Sequence, residues 1–74
     1  MITKYTMINP ILSLLINRVH EDNLPIHITT GKREKDYNGD VQVDVLVECE
    51  DCDVELWHRV LTESIEAYSL SFNN

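Results

Sequence analysis

The clearest periodic signal is "DVQVDVLVEC", residues 40–49, in which Val41, Val43, Val45, Val47 and Cys49 alternate with Gln42, Asp44, Leu46 and Glu48. A period of two sends the first set to one side of a strand and the second to the other. The valine side is core, and the other side is mostly wet. Upstream, Ile11, Leu12, Leu15, Ile16 and Val19 recur at helical spacing, and Leu14 widens their stripe. Asn9 is read as the N-cap and Pro10 as an early helical residue, so the pattern predicts a helix from Asn9 to about Asp22. "DNLP" then stops it. A stripe this wide on so short a chain suggests contact on more than one side.

"PIHITTGKREK", residues 25–35, reads as a strand that becomes a polar, basic arm. Asn38-Gly39 favours a tight hairpin turn, because both residues tolerate positive φ. A second helix is predicted from about Asp53 to Tyr68, with Leu56, Trp57, Val60, Leu61, Ile65 and Tyr68 as its buried stripe. The tail "YSLSF" alternates like a short last strand. "ITKYTMI", at the start, fits either a short strand or an arm. The expected fold is therefore a small single α+β domain over residues 1–74. Its order is helix, strand, strand, helix, with an optional last strand, and its helices pack on an antiparallel sheet.

Length changes what this pattern can support. With 74 residues, a chain buries only about 60% of its unfolded surface, so assembly is the expected source of further stability. The apolar run "MINPILSLLI" is too short to cross a bilayer and lacks a cleavage site for a secretion signal. A cytoplasmic protein with reduced thiols is expected.

The net charge is −7, unevenly placed. Residues 1–39 carry Lys4, Arg18, Lys32, Arg33 and Lys35 against Glu21, Asp22, Glu34 and Asp36, for +1. Residues 40–74 carry Arg59 against nine acids, for −8. That balance argues against binding a nucleic-acid backbone. It allows a basic partner, repulsion of DNA, or head-to-tail contact between copies, in which "GKREK" of one subunit meets the acids of the next.

"VECEDCDVELWH", residues 47–58, holds residues for three candidate chemistries. Cys49 and Cys52 have the spacing of a redox pair at a strand-to-helix junction. Catalytic thiols, however, need cationic neighbours or a bare helix N-terminus, whereas Glu50, Asp51, Asp53 and Glu55 surround Cys52. Zinc would need a second compact ligand pair beside Cys49, Cys52 and His58, and only the remote His20 or His27 is left. A calcium loop lacks its glycine turn and distal glutamate. His20, His27 and His58 compose no site, and phosphate-binding glycine loops are absent. The chain is therefore read as a non-enzyme with no catalytic, cofactor or metal residues.

The acidic cluster itself has two readings. It is either a solvated helix N-terminus, where carboxylates favour the positive end of the dipole, or a functional surface. The candidate surface comprises Asp44, Glu48, Glu50, Asp51, Asp53 and Glu55, with Lys32, Arg33 and Lys35 as the complementary basic group.

"VQVDVLVECEDCDVELWHRVLTESI", residues 41–65, runs from an alternating strand through an acidic break into a helix. Together with an apolar first helix ending in "NLPIHI", it resembles small phage neck proteins of the tail-terminator or tail-completion type. The resemblance implies a non-enzymatic virion component: a homo-oligomeric ring seated between tail and connector proteins, assembled in the host cytoplasm. Its acidic surface would line the channel and keep passing DNA from sticking. The alternative is a small acidic DNA mimic that blocks a basic host nucleic-acid-binding protein. No membrane and no direct sequence-specific nucleic-acid contact is expected in either case.

Overall fold

The computed structural model describes residues 1–72. The chain runs β1 (Ile2–Ile8), α1 (Asn9–Glu21), β2 (Ile26–Lys35), β3 (Val41–Cys49), a short 3-10 turn over Asp51–Asp53, and α2 (Val54–Phe72). The sheet order is β1-β3-β2, and both pairings with β3 are antiparallel. β1 and β2 are therefore parallel to one another with β3 inserted between them, a split βαβ crossover carrying α1.

This corrects the expected order, which began with a helix. "ITKYTMI" is a full strand: Thr3, Tyr5 and Met7 turn inward opposite Val47, Val45 and Val43. Its period of two is hard to see because Ile2 and Ile8, both apolar, fall on the outward side with Lys4 and Thr6. The expected last strand is corrected as well. "YSLSF" continues α2, since neither glycine nor proline interrupts the chain after Gly39. Ser71 Oγ donates to the Ala67 carbonyl at 3.0 Å, the backward bond a helical serine makes.

The core lies between one face of the sheet and the two helices. Val43, Val45 and Val47 of β3 meet Met7, Ile26, Leu12, Leu15, Trp57 and Val60, all buried. Fully burying one such aliphatic or aromatic side chain stabilises by about 1.5–3 kcal/mol. Leu14 stays exposed. On α2 the buried line is Trp57, Val60 and Ser64, while Ile65 is 43% exposed. The helices are also tied by Arg18, whose Nη1 lies 2.7 Å from Glu63 Oε2 and whose Nε lies 2.7 Å from Asp22 Oδ2. These two carboxylates hold the guanidinium pKa above its ordinary value, the Asp22 hydrogen bond being the larger cause.

Two local details differ from the sequence reading. Ile8 occupies the N-cap of α1, and Asn9 lies inside the helix, where its Oδ1 accepts from Arg33 Nη1 at 3.0 Å. α1 ends as the sequence implies, with Asn23 at φ 50° and Leu24 N–H donating to the Val19 carbonyl at 3.0 Å, a left-handed closure. In the β2–β3 hairpin only Gly39 has positive φ, at 83°. Gly39 N–H donates to the Asp36 carbonyl at 3.1 Å, so the connection is a turn closed by a left-handed glycine instead of a two-residue loop.

Candidate interaction surface

β3 is the ruler along which the candidate residues are arranged. Its start pairs with the end of β2, Val41 with Lys35 and Val43 with Arg33. Its finish pairs with the start of β2, Cys49 with Ile26 and Glu48 with His27. At about 3.4 Å per residue the two ends lie roughly 25–30 Å apart. Arg33 to Lys35 of "GKREK" and the acidic junction therefore lie at opposite ends of β3, with Gly31 and Lys32 nearer its middle, beside Asp44.

At the acidic end, Glu48 is half-buried on the helix-free face of the sheet, and Glu50 is exposed in the connection that follows. Asp51 and Asp53 sit on the 3-10 turn and Glu55 in the first turn of α2. Glu50 stands at the N-cap of the 3-10 turn and its carboxylate accepts no capping hydrogen bond, so the local contribution of these acids is charge at the positive end of a helix. Among the described residues Glu48, Glu50, Asp53 and Glu55 have no ion-pair partner. Asp51 faces only the Met1 ammonium, at 3.4 Å, and is 99% exposed. So open a pair contributes little. The ammonium's closer contact is the Cys49 carbonyl, at 2.6 Å.

Asp44 is separate from this group. It projects from the middle of the helix-free face, where its Oδ1 accepts from Thr6 Oγ1 at 3.1 Å. It shares a shallow depression with Lys4, Lys32, Thr29 and Leu46, and its charge helps raise the Lys32 pKa. The six candidate acids thus divide into five at one end and one in mixed surroundings.

The basic group is compensated locally. "GKREK" is strand, the last stretch of β2, with a register shift between Thr30 and Arg33. Lys32 Nζ lies 2.6 Å from Glu34 Oε1. That hydrogen bond is the main cause of the raised Lys32 and lowered Glu34 pKa values. Arg33 is engaged by Asn9. Lys35 is exposed beside the turn that carries Asp36 and Asp40. The hairpin end is consequently close to neutral, and the charge asymmetry of the molecule comes from its acidic end.

Cys49 is half-buried against the core, and Cys52 is exposed on the 3-10 turn. His20, His27 and His58 are exposed on three different elements. Among the described residues no group of three or more His, Cys, Asp and Glu is gathered to hold a metal ion. Among the described residues no helix is long and apolar enough to cross a membrane. Sequence reasoning missed the free edge of β1 as a surface. Its signal was the run of β-branched residues in "ITKYTMI". No family model matches the chain, and no curated protein or solved structure matches it either.

Proposed function

We propose that this chain is a non-enzymatic structural protein that works through its acidic end, as a subunit of a phage tail-terminator or neck ring. The observation that carries the reading is the clustering of Glu48, Glu50, Asp51, Asp53 and Glu55 at one end of the sheet, away from compensating side chains. Such a surface repels a passing nucleic acid or docks a basic neighbour. Residues 9–72 also run helix, strand, strand, acidic junction and helix, and the stretch from the second of these strands through the junction into the helix carries the likeness to neck proteins. β1 stands outside that likeness.

The DNA-mimic alternative asks for carboxylates in two rows spaced like phosphates. Five acids at one end, with Lys4, Lys32 and Leu46 around the sixth, favour the ring. The contact between subunits is heterologous on this reading, with the acidic end of one copy against a different patch of the next. Electron microscopy of the purified chain, alone and mixed with phage tails, tests it. Rings or tail-end densities are expected, and charge reversal at Glu50 and Asp53 should remove them. Failure to associate with tails, combined with salt-sensitive capture of a basic host protein, would transfer the assignment to the mimic.

A further inference from the structure

The two edges of the sheet are not equally protected. β2 carries a register shift and four consecutive charged residues, Lys32 to Lys35, which are common means of blocking edge-to-edge pairing. β1 has neither. It is seven residues long, contains no proline or acid, and carries a single charge, Lys4. Beside it runs an apolar groove lined by Met7, Ile8, Ile11, Leu61 and Ile65. Two of the exposed large apolar side chains, Ile2 and Ile65, flank this edge.

We propose that the free edge of β1 pairs antiparallel with β1 of a second copy, making one six-stranded sheet across a two-fold axis at Tyr5. Backbone direction sets the allowed registers. Met1 and Cys49 exchange both backbone hydrogen bonds, at 3.0 and 2.6 Å. In an antiparallel ladder such pairs alternate with non-bonded ones. Thr3, Tyr5 and Met7 therefore direct their N–H and C=O groups at β3, while those of Ile2, Lys4, Thr6 and Ile8 point outward.

Only registers joining outward residues to outward residues can form bonds. Centring on Lys4 sets Lys4 against itself, which opposes like charges. Centring on Thr6 leaves Ile2 and Thr3 opposite the start of the partner's α1. Centring on Tyr5 pairs the whole strand: Ile2 with Ile8, Thr3 with Met7, and Lys4 with Thr6. Ile2 gains an apolar cover on the open face. On the other face the two Tyr5 rings meet beside the Leu61 and Ile65 groove.

The same register supplies charge complementarity. Thr6 stands directly opposite Asp44 in its own chain, so Lys4, the other copy's Thr6 and the other copy's Asp44 fall in one line across three strands. Among the described residues Lys4 has no ion-pair partner in its own chain. Two symmetric Lys4–Asp44 pairs form across the axis. With no carboxylate on β1, two chains of charge −7 meet there at their least repulsive strand. The contact leaves the acidic end free, so it stands independently of the ring.

Sedimentation equilibrium of the full chain carrying the Glu50 and Asp53 charge reversals, which removes ring contacts and leaves β1 untouched, should give twice the 8.6 kDa chain mass. Lys4→Glu should shift the dimer dissociation constant upward by about tenfold or more, the effect expected of opposing charges. K4E combined with D44K should recover most of the loss. Amide hydrogen exchange of the unmodified chain reads the contact without relying on a variant's folding. Lys4 and Thr6 N–H groups should become protected as concentration rises, while Thr3, Tyr5 and Met7 are protected throughout. A chain that stays monomeric at millimolar concentration overturns the proposal. So does a dimer in which Lys4 and Thr6 exchange freely, or an edge protected only when a foreign protein is added.

Discussion

Trp57 Nε1–H donates to Tyr5 Oη at 3.0 Å, and the two rings meet edge to face with centroids 5.6 Å apart. The indole is fully buried, so this bond is what satisfies its donor. It also fastens α2 to β1, the first and last elements of the fold. Tyr5→Phe keeps the ring and removes the acceptor. It should destabilise by about 1–3 kcal/mol, the cost of a buried donor left unpaired. Denaturant unfolding followed by far-UV circular dichroism measures this. A cycle with Trp57→Phe should show coupling of about 0.5–1.5 kcal/mol.

The two thiols should separate by burial. Cys52→Ser lies on an exposed turn and should stay within about 0.5 kcal/mol of wild type. Cys49→Ser places a hydroxyl against the valine face and should cost about 1 kcal/mol or somewhat more. If the chain is the ring subunit proposed above, neither change should alter its association with tails. Loss of association in a folded C49S/C52S variant would make the cysteines functional.

Asp36 organises the hairpin. Its carboxylate accepts from Gln42 Nε2 at 3.1 Å and from the backbone N–H groups of Asn38 and Asp40 at 2.9 and 3.0 Å. Its pKa lies below the ordinary aspartate value, with the Gln42 bond as the largest cause. A lowered folded value means that the carboxylate's stabilisation is complete above the unfolded pKa, about 3.9. It is lost as pH falls through the folded value. Thermal melts across that acid range should fall more steeply for wild type than for Asp36→Asn, which is less stable at neutral pH.

Gly39 and Gly31 offer a contrast between strain and space. A Cβ at Gly39 meets nothing within 4 Å, but its φ is 83°. Gly39→Ala should therefore cost about 1 kcal/mol from backbone strain alone. Gly39→Asn should recover part of that. At Gly31 a Cβ lies 3.4 Å from the Asp44 carbonyl oxygen with no left-handed φ. Gly31→Ala should change stability by less than about 0.5 kcal/mol. Chemical denaturation of the three variants decides the point.

Periodicity by itself determined which side of β3 faces the core, the existence of both helices, and the stop at "DNLP". These are local matters, decided by side-chain spacing and backbone preference within a few residues. It also identified the acids around Cys52 as one group, because adjacent residues cannot be far apart. Tertiary structure decided the rest. β1 is a strand because β3 is central and has a second edge to pair; the β-branched residues of "ITKYTMI" permit a strand, and only that edge decides it. "YSLSF" stays helical because helix propagation adds bonds one residue at a time, whereas a strand needs a partner that the described chain does not place there. Asp44 left the acidic group, and "GKREK" lost its excess charge, for the same reason. Charge on a surface depends on neighbours brought together by strand register, and Lys32, Thr6 and Asp44 become neighbours only once the sheet has formed.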